Sequence, residues 1–299
     1  MVEISARAAG TFMLGGDIEV SRLGYGTLHL IGENSWGPPQ DAAEARRILR
    51  RLPELGVNLI DTADSYGPDI AEQLIREVLH PYSDRNIVVA TKAGVVRPEP
   101  EQWVPLGRPE YLIQQVHKSL RALDIERIDL WQLHRLDPRV PAEEQFDAIK
   151  SLISDGLVRH AGLSEVGVDD VKLASRYFKV ASVQNLYNLI DRTHEAVLDY
   201  CEAHGIAFIP WFPLASGELA RKSGLLEELA KKYDASVSQI ALAWVLKRSP
   251  VMLPIPGTSR VAHLEQNVQA GSIKLSDADF IALDEAGRRE FSSKNVIQK

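Results

Sequence analysis

The chain has 299 residues, of which 45% are hydrophobic and 25% are charged, and its formal net charge is -7. This length and composition suit one large barrel-type domain or two smaller ones with a sizeable core, and they exclude a disordered chain. The negative charge, without a Lys/Arg cluster on one predicted element, argues against a nucleic-acid partner and favours a small-molecule one.

The N-terminus and the single cysteine indicate the compartment. Residues 1–10 hold one basic residue and no apolar run, and the chain lacks any apolar stretch of about 18 residues. Cys201 cannot form an internal disulfide, and its helical surroundings are typical of core packing. We therefore expect a soluble, cytoplasmic protein with no membrane partner.

The first predicted element is a small hairpin. Two apolar segments, Thr11–Leu14 and Ile18–Arg22, flank the turn residues Gly-Gly-Asp at 15–17. Because no helix follows these glycines, they predict a turn and not a phosphate-binding loop. We interpret the hairpin as a lid or plug on the elements that follow.

From Leu23 onward, short apolar runs alternate with polar loops and with segments of helical periodicity. The apolar runs predict eight strands, at Leu23–Thr27, Asn58–Thr62, Ile87–Lys92, Ile128–His134, Arg159–Ser164, Ala181–Gln184, Ala207–Trp211 and Met252–Ile255. Strands that alternate with helices in this way predict an all-parallel sheet that is buried on both faces.

The helical segments carry signals for their starts and stops. Residues 41–44, Asp-Ala-Ala-Glu, predict a capping box at the start of the first helix, and Gly56 marks its end. Pro109 and Pro141 predict the starts of later helices, and Gly205 closes another. These signals support the alternation of strands and helices.

The simplest closure of eight such strands is an α/β fold, a (β/α)8 barrel with an N-terminal β-hairpin and a short C-terminal extension. The competing architecture is an open doubly wound sheet. That sheet usually has a Gly-rich fingerprint after its first strand, and residues 23–29 lack its third glycine and its helix start. Because no linker or low-complexity tract interrupts the pattern, we expect one domain over 1–299.

In such a barrel the active site lies at the carboxyl ends of the strands. Asp61 ends the second strand, Lys92 the third and His134 the fourth, and Tyr66 follows closely after the first of these. Each residue alone has an ordinary explanation, as a turn residue, a surface charge or a structural histidine. Three neighbouring strands that end in Asp, Lys and His beside a Tyr form a much rarer combination.

This set of residues suits proton delivery by the tyrosine. A free phenol has a pKa near about 10, and Lys92 would be the cation that stabilises the Tyr66 phenolate. Asp61 would hold Lys92 in place, while His134 would donate to, or orient, the oxygen of a substrate carbonyl. No protein group in the set can supply a hydride, so carbonyl reduction would require a nicotinamide.

The motifs around these residues resemble those of the aldo-keto reductase superfamily, from Thr11 to about Ala286. The motifs are Asp61-Thr62-Ala63-Asp64-Ser65-Tyr66-Gly67, Ala90-Thr91-Lys92, Asp129-Leu130-Trp131-Gln132-Leu133-His134, Gly162-Leu163-Ser164, Gln184-Asn185, Trp211-Phe212-Pro213-Leu214 and Ile255-Pro256-Gly257-Thr258. Jointly they are highly specific.

The resemblance implies NADPH-dependent reduction of aldehydes and ketones, with NADH as a possible cofactor. It matches Asp61, Tyr66, Lys92 and His134 to the catalytic tetrad, with Tyr66 as the general acid. It also implies cofactor contacts along the whole nicotinamide dinucleotide. These are the carboxamide at Ser164 and Gln184, the ring on Trp211, the pyrophosphate along Pro213, Leu214, Ser216 and Gly217, and the adenosine end at Gly257, Thr258, Ser259, Arg260, His263, Gln266 and Asn267.

Two departures from the family pattern affect the cofactor site. Glu165 stands where many members have Asn, and a carboxylate can accept from the carboxamide NH2 but cannot donate to its oxygen. The frequent adenine-end Lys and Arg align with Gly257 and His263. We therefore expect an NADPH preference that rests chiefly on Arg260, with a pH-dependent share from His263. The hydroxyls just before Arg260, those of Thr258 and Ser259, would add hydrogen bonds.

The substrate side of the pocket is less specific. Trp36 and Trp103, in the loops after the first and third strands, would form pocket walls for an apolar aldehyde, or else pack on a neighbouring helix. The C-terminal tail, residues 288–299, is short and polar, which favours an open pocket. Sugars, pyridoxal, quinones and simple aromatic aldehydes all fit this description.

Two other classes of protein share parts of the pattern. A nicotinamide-binding regulatory subunit would have the same fold and tetrad with little turnover, and the absence of a long N-terminal arm disfavours it. A metal-dependent barrel hydrolase would need closely spaced ligands. The eight histidines come no closer together than His194 and His204, so we expect no metal.

Overall fold

The computed structural model describes residues 4–214 and 224–297. Seven strands form one parallel sheet: β3 (Tyr25–Gly26), β4 (Leu59–Asp61), β5 (Val88–Ala93), β8 (Ile128–Leu133), β9 (Val158–Ser164), β10 (Val180–Gln184) and β11 (Ala207–Phe208). Two antiparallel pairs lie outside it, β1 (Thr11–Leu14) with β2 (Ile18–Ser21) and β6 (Val95–Val96) with β7 (Val104–Pro105). The parallel sheet has the order β11-β10-β9-β8-β5-β4-β3 and curls into a barrel.

Ten α-helices are found within the described ranges. They are α1 (Ala42–Glu54), α2 (Ile70–Leu79), α3 (Pro109–Leu123), α4 (Ala142–Ser154), α5 (Val168–Ala174), α6 (Glu195–His204), α7 (Gly224–Lys232), α8 (Val237–Arg248), α9 (Val261–Gln269) and α10 (Asp277–Ile297). Among them, none combines the length and the apolarity that crossing a membrane requires.

The eighth predicted strand, Met252–Ile255, closes the barrel without becoming a full ladder strand. Phe208 of β11 donates its backbone N–H to Val251 O over 2.9 Å, and Leu253 donates back to Phe208 O over 2.8 Å. On the other side, Gly24 N donates to Pro254 O over 3.0 Å. Pro254 has no N–H of its own, so the ladder stays short. The predicted (β/α)8 closure is confirmed.

The N-terminal hairpin acts as the predicted plug. Leu14, Ile18 and Val20 are buried in one cluster with the first residues of two barrel strands, Leu59 and Val88. The hairpin therefore covers the amino ends of the strands and leaves their carboxyl ends to the loops. This arrangement places any active site at the opposite end of the barrel.

The start of α1 differs from the predicted capping box. Asp41 accepts a hydrogen bond from Glu44 N over 2.8 Å, as an N-cap does. The Glu44 carboxylate, however, does not return to the Asp41 backbone. Its Oε1 accepts from Val261 N over 2.8 Å, at the first residue of α9. Glu44 thus caps a second helix that is distant in sequence.

The other predicted helix boundaries are confirmed. The helix α3 begins at Pro109, Pro141 is the N-cap of α4, and Gly205 ends α6 with a positive φ of 64°. The C-terminal extension is helical, because α10 continues from Asp277 to Ile297.

Candidate active site

The three predicted strand-end residues meet at the carboxyl edge of adjacent strands. Asp61 is the last residue of β4, Lys92 lies near the end of β5, and His134 directly follows β8. Because β4, β5 and β8 are neighbours in the sheet, their side chains converge. Tyr66 lies in the turn after β4, where its N–H bonds to Ala63 O over 3.2 Å. All four are buried.

Lys92 and Asp61 form a fully enclosed ion pair. The Lys92 Nζ lies 2.7 Å from Asp61 Oδ2 and donates to Thr62 O over 2.8 Å. The same nitrogen lies 5.3 Å from the centroid of the Tyr66 ring. Burying this cation is tolerable only because both partners satisfy it. The pair therefore fixes a positive charge beside the phenol.

Burial controls how these groups ionise. It raises the pKa of Tyr66 well above the ordinary value, and Asp61 raises it further while Arg135 opposes the shift. The raised pKa of the phenol results chiefly from burial, because desolvation disfavours the charged phenolate. Burial and the Lys92 charge lower the pKa of His134 well below its usual range. At neutral pH the site thus holds a protonated phenol and a neutral imidazole.

Aromatic contacts orient the imidazole. The ring of His134 stands edge-on to Tyr66 at a centroid distance of 5.9 Å and to Trp103 at 6.1 Å. Its Nδ1 lies 3.3 Å from Ser65 Oγ. With Ser65 as the donor, the neutral ring carries its hydrogen on Nε2.

Gln184 and Ser164, predicted to hold the carboxamide, are each held by a neighbouring side chain, Asp61 for Gln184 and Arg135 for Ser164. Gln184 Nε2 donates to Asp61 Oδ1 over 2.8 Å, which leaves its Oε1 as an acceptor for an amide NH2. Ser164 Oγ accepts from Arg135 Nη1 over 3.0 Å, which leaves its O–H as a donor for an amide oxygen. The two side chains therefore offer the complementary pair that a carboxamide requires.

The Glu165 carboxylate is hydrogen-bonded to Trp211. Its Oε1 accepts from Trp211 Nε1 over 2.6 Å and from Leu186 N over 2.7 Å. Burial opposes the charge of this carboxylate, but hydrogen bonds from His194, Trp211 and the Leu186 backbone lower its pKa to about 2. Glu165 itself adopts a left-handed φ of 57°. An ionised carboxylate in this position holds the indole plane.

We expect Glu165→Ala to raise the KM for the nicotinamide cofactor by about tenfold, because the indole N–H would lose its hydrogen-bond acceptor. Glu165→Gln keeps an oxygen acceptor at the same φ and is the matched control, with a KM close to wild type. Steady-state kinetics on both variants checks this. Equal KM values for Glu165→Ala and wild type would show that the indole does not depend on Glu165.

A cavity of about 300 Å³ is lined by two members of the tetrad, Asp61 and Tyr66. Gln184, Trp211, Pro213, Leu214 and Gly257 are among its other lining residues. Gly257 is required by close approach, because a Cβ there would lie 2.8 Å from both Gly26 O and His29 Nδ1. Two further predicted pyrophosphate contacts, Ser216 and Gly217, fall outside the described residues.

A larger cleft of about 820 Å³ continues from this cavity, since Leu28 and His29 line both. Of the predicted adenosine-end residues, Ser259 and Arg260 line the cleft at the start of α9. Four others do not line the cleft: Thr258 is buried before the helix, His263 is exposed in its first turn, and Gln266 and Asn267, exposed and buried respectively, lie in its second half. A smaller cavity beside Trp211, joined to a longer cleft, fits an elongated dinucleotide with the nicotinamide in the cavity and the adenosine in the cleft.

The two predicted pocket tryptophans take unequal positions. Trp103 packs edge-on against Tyr66 at a centroid distance of 6.3 Å and keeps 41% of its surface exposed. Trp36 is separated from Trp103 by the buried Arg97 guanidinium. The Arg97 Cζ lies 3.7 Å from the Trp103 ring centroid and 5.5 Å from that of Trp36. Trp103 therefore borders the catalytic side chains, and Trp36 supports it through Arg97.

Several site residues escape prediction from the sequence. Arg135 directly follows His134, Arg97 directly follows β6, and His29 ends a short 3-10 helix, and no periodic pattern singles out any of them. Burial lowers the pKa of His29, so a neutral imidazole stands where the cavity meets the cleft. These residues are identified only by their contacts in the fold.

Comparison with known families agrees with this geometry. The model of the aldo/keto reductase family matches residues 22–288. The chain belongs to the aldo/keto reductase family. It is thus an NAD(P)H-dependent oxidoreductase, as the motifs predicted, and neither a doubly wound sheet nor a metal-dependent hydrolase.

Individual aldo/keto reductases and other oxidoreductases align over nearly the whole chain. An uncharacterized oxidoreductase of Schizosaccharomyces pombe is 52% identical over 99% of this chain and 96% of its own length. Pyridoxine 4-dehydrogenase of Escherichia coli is 40% identical over 94% of this chain and 99% of its own. An aldo-keto reductase from Klebsiella pneumoniae, solved in complex with NADPH, superposes with a TM-score of 0.78 at 26% identity, covering 92% of this chain and 94% of that one.

Proposed function

We propose that this chain reduces small aldehydes and ketones to alcohols with NADPH, and that Tyr66 supplies the proton. The observation that carries the proposal is a protonated phenol that lines the cavity while the enclosed Lys92–Asp61 pair lies behind its ring. When bound, the reduced nicotinamide supplies the hydride. The residues of the chain bind, orient and donate the proton.

Tyr66 acts as the general acid in this proposal. Its raised pKa keeps the phenol protonated throughout the neutral range. As the proton leaves, the phenol oxygen gains negative charge in a dry site, where the fixed Lys92 ammonium stabilises it most effectively. Lys92 therefore contributes at the transition state and not by making the resting phenol acidic.

His134 positions the substrate oxygen. Its lowered pKa keeps the imidazole neutral, and in the tautomer that accepts from Ser65 at Nδ1 the ring hydrogen is on Nε2. A neutral N–H donor polarises a carbonyl without competing with Tyr66 for the role of acid. Trp103, which packs against both rings, forms the adjoining wall for an apolar substrate.

The described residues fit a nicotinamide cofactor. Trp211 would hold the ring, while Gln184 Oε1 and the Ser164 hydroxyl would hold the carboxamide. Ser259 and Arg260 in the larger cleft suit the adenosine phosphate, because the N-terminus of α9 favours negative charge there. The K. pneumoniae relative binds NADPH, which supports the same choice here.

We expect Arg260→Ala to raise the KM for NADPH by roughly tenfold while that for NADH changes little, because a charge-assisted phosphate contact is lost. The wild-type enzyme should have the lower KM for NADPH. Steady-state kinetics with both cofactors decides this. Equal wild-type KM values, or no rise in Arg260→Ala, would place the phosphate contact elsewhere.

Pyridoxal is the first substrate to test. The name of the E. coli relative denotes oxidation of pyridoxine at carbon 4, and the reverse of that reaction reduces an aromatic aldehyde. The test is loss of NADPH absorbance with pyridoxal, 4-nitrobenzaldehyde, a quinone and an aldose as alternatives. The proposal requires turnover of at least one of these carbonyls. Turnover of none would favour a binding role on the same fold.

A further inference from the structure

An acid from α1 occupies the start of α9. Glu44 Oε1 accepts from Val261 N over 2.8 Å, while its Oε2 lies 2.5 Å from Arg47 Nη2. The N-cap residue of α9, Arg260, provides no side-chain cap of its own. Glu44 therefore satisfies an orphan N–H that a phosphate at this helix end would otherwise meet.

The cleft around this contact is acidic. Its lining includes the carboxylates of Glu33, Asp41 and Glu44, against the single lining cation Arg260 among the described residues. Glu44 is the one whose oxygen lies at the helix terminus. The contact with the Val261 N–H and the Arg47 guanidinium lowers its pKa, so it is ionised at neutral pH.

We propose that Glu44 is a specificity-determining residue that weakens the preference for NADPH over NADH. This inference rests on the proposed function, in which α9 begins at the adenosine 2′ position. A 2′-phosphate must displace the Glu44 carboxylate from the Val261 N–H or accept its repulsion. A 2′-hydroxyl meets neither cost and can donate to a carboxylate oxygen.

The preference is then a balance between two side chains at the start of one helix. Arg260 attracts the 2′-phosphate, and Glu44 opposes it. Because Glu44 comes from α1, a change in its charge alters the cofactor site without altering the α9 sequence. Removal of the charge should shift the balance toward NADPH.

The variant that isolates this effect is Glu44→Gln. Its amide oxygen can still accept from Val261 N, so the start of α9 keeps its cap while the negative charge is lost. The matched control is Glu265→Gln, which removes the negative charge from the second contact between α1 and α9 and keeps an oxygen acceptor there. In that contact Arg51 Nη2 lies 2.8 Å from Glu265 Oε1. A urea midpoint at the wild-type value in both variants shows that the fold is intact.

Isothermal titration with NADP+ and with NAD+ measures the effect on binding, without turnover. We expect Glu44→Gln to lower the Kd for NADP+ by about tenfold, comparable to a charge-assisted contact. The Kd for NAD+ should stay the same or rise. Glu265→Gln should match wild type for both.

Three results would overturn the inference. An unchanged Kd ratio in Glu44→Gln would show that the 2′-phosphate does not meet this carboxylate. An equal gain in Glu265→Gln would show that loss of any negative charge near α9 has the same effect, without a specific role for Glu44. Failure of the wild type to bind either cofactor would overturn the proposed function as well.

Discussion

Replacing Tyr66 by phenylalanine is expected to lower kcat for 4-nitrobenzaldehyde by about 10²-fold or more, the usual share of a general acid. The ring would still pack against Trp103 and His134, whose centroids lie 6.3 and 5.9 Å away. Only the proton donor is removed. The measurement is the rate of NADPH oxidation at saturating aldehyde.

Cofactor binding is the control for this variant. Tyr66 has no predicted contact with the dinucleotide, so the Kd for NADPH should remain within a few-fold of wild type. If the purified Tyr66→Phe protein reduced the aldehyde at nearly the wild-type rate, another group would have to deliver the proton.

Lys92→Met should produce a comparable loss of kcat, because the developing phenolate would lose the ammonium fixed near it. It should also lower the free energy of unfolding by about 3–5 kcal/mol, since Asp61 would remain as a buried, unpaired carboxylate. Urea unfolding and steady-state kinetics measure the two effects separately.

The double variant Asp61→Asn/Lys92→Met separates chemistry from folding. The introduced amide has no charge to leave unpaired, and its oxygen can still accept from Gln184, which donates to Asp61 over 2.8 Å in the native site. We expect stability to recover while turnover stays low. Recovery of turnover together with stability would contradict a role for the cation in proton transfer.

The fold was predictable because the signals are local. Alternating apolar runs and helix caps lie within a few residues of the elements that they define. The exception is Met252–Ile255, where the apolar run is real but Pro254 withholds a ladder donor. The convergence of Asp61, Lys92 and His134 also followed, because adjacent parallel strands end at one edge.

The partners of polar side chains were not predictable to the same degree. Glu44 satisfies the pattern of a capping box, yet its carboxylate bonds to Val261, 217 residues away, because packing of α1 on α9 brings that N–H within reach. The bond between Glu165 and Trp211 was likewise not indicated by any sequence spacing. The hydrogen-bond partner of such a side chain depends on distances in the folded protein, which the spacing of residues in the sequence does not show.

The ionisation of Tyr66 shows the same limit. The sequence identifies a cation for the phenol, but desolvation depends on how completely the barrel encloses the ring. In the fold only 6% of the Tyr66 surface is exposed, and burial raises its pKa. The proposed acid role of Tyr66 therefore relies on stabilisation of the developing phenolate and does not require an acidic resting phenol.

The most direct test of the central claim is the fate of the nicotinamide hydrogen. The enzyme is incubated with 4-nitrobenzaldehyde and NADPH that carries deuterium at both C4 positions of the nicotinamide, and the alcohol is analysed by mass spectrometry. The account predicts one deuterium on the alcohol carbon for each NADPH consumed. Formation of alcohol without deuterium, or consumption of NADPH without alcohol, would contradict it.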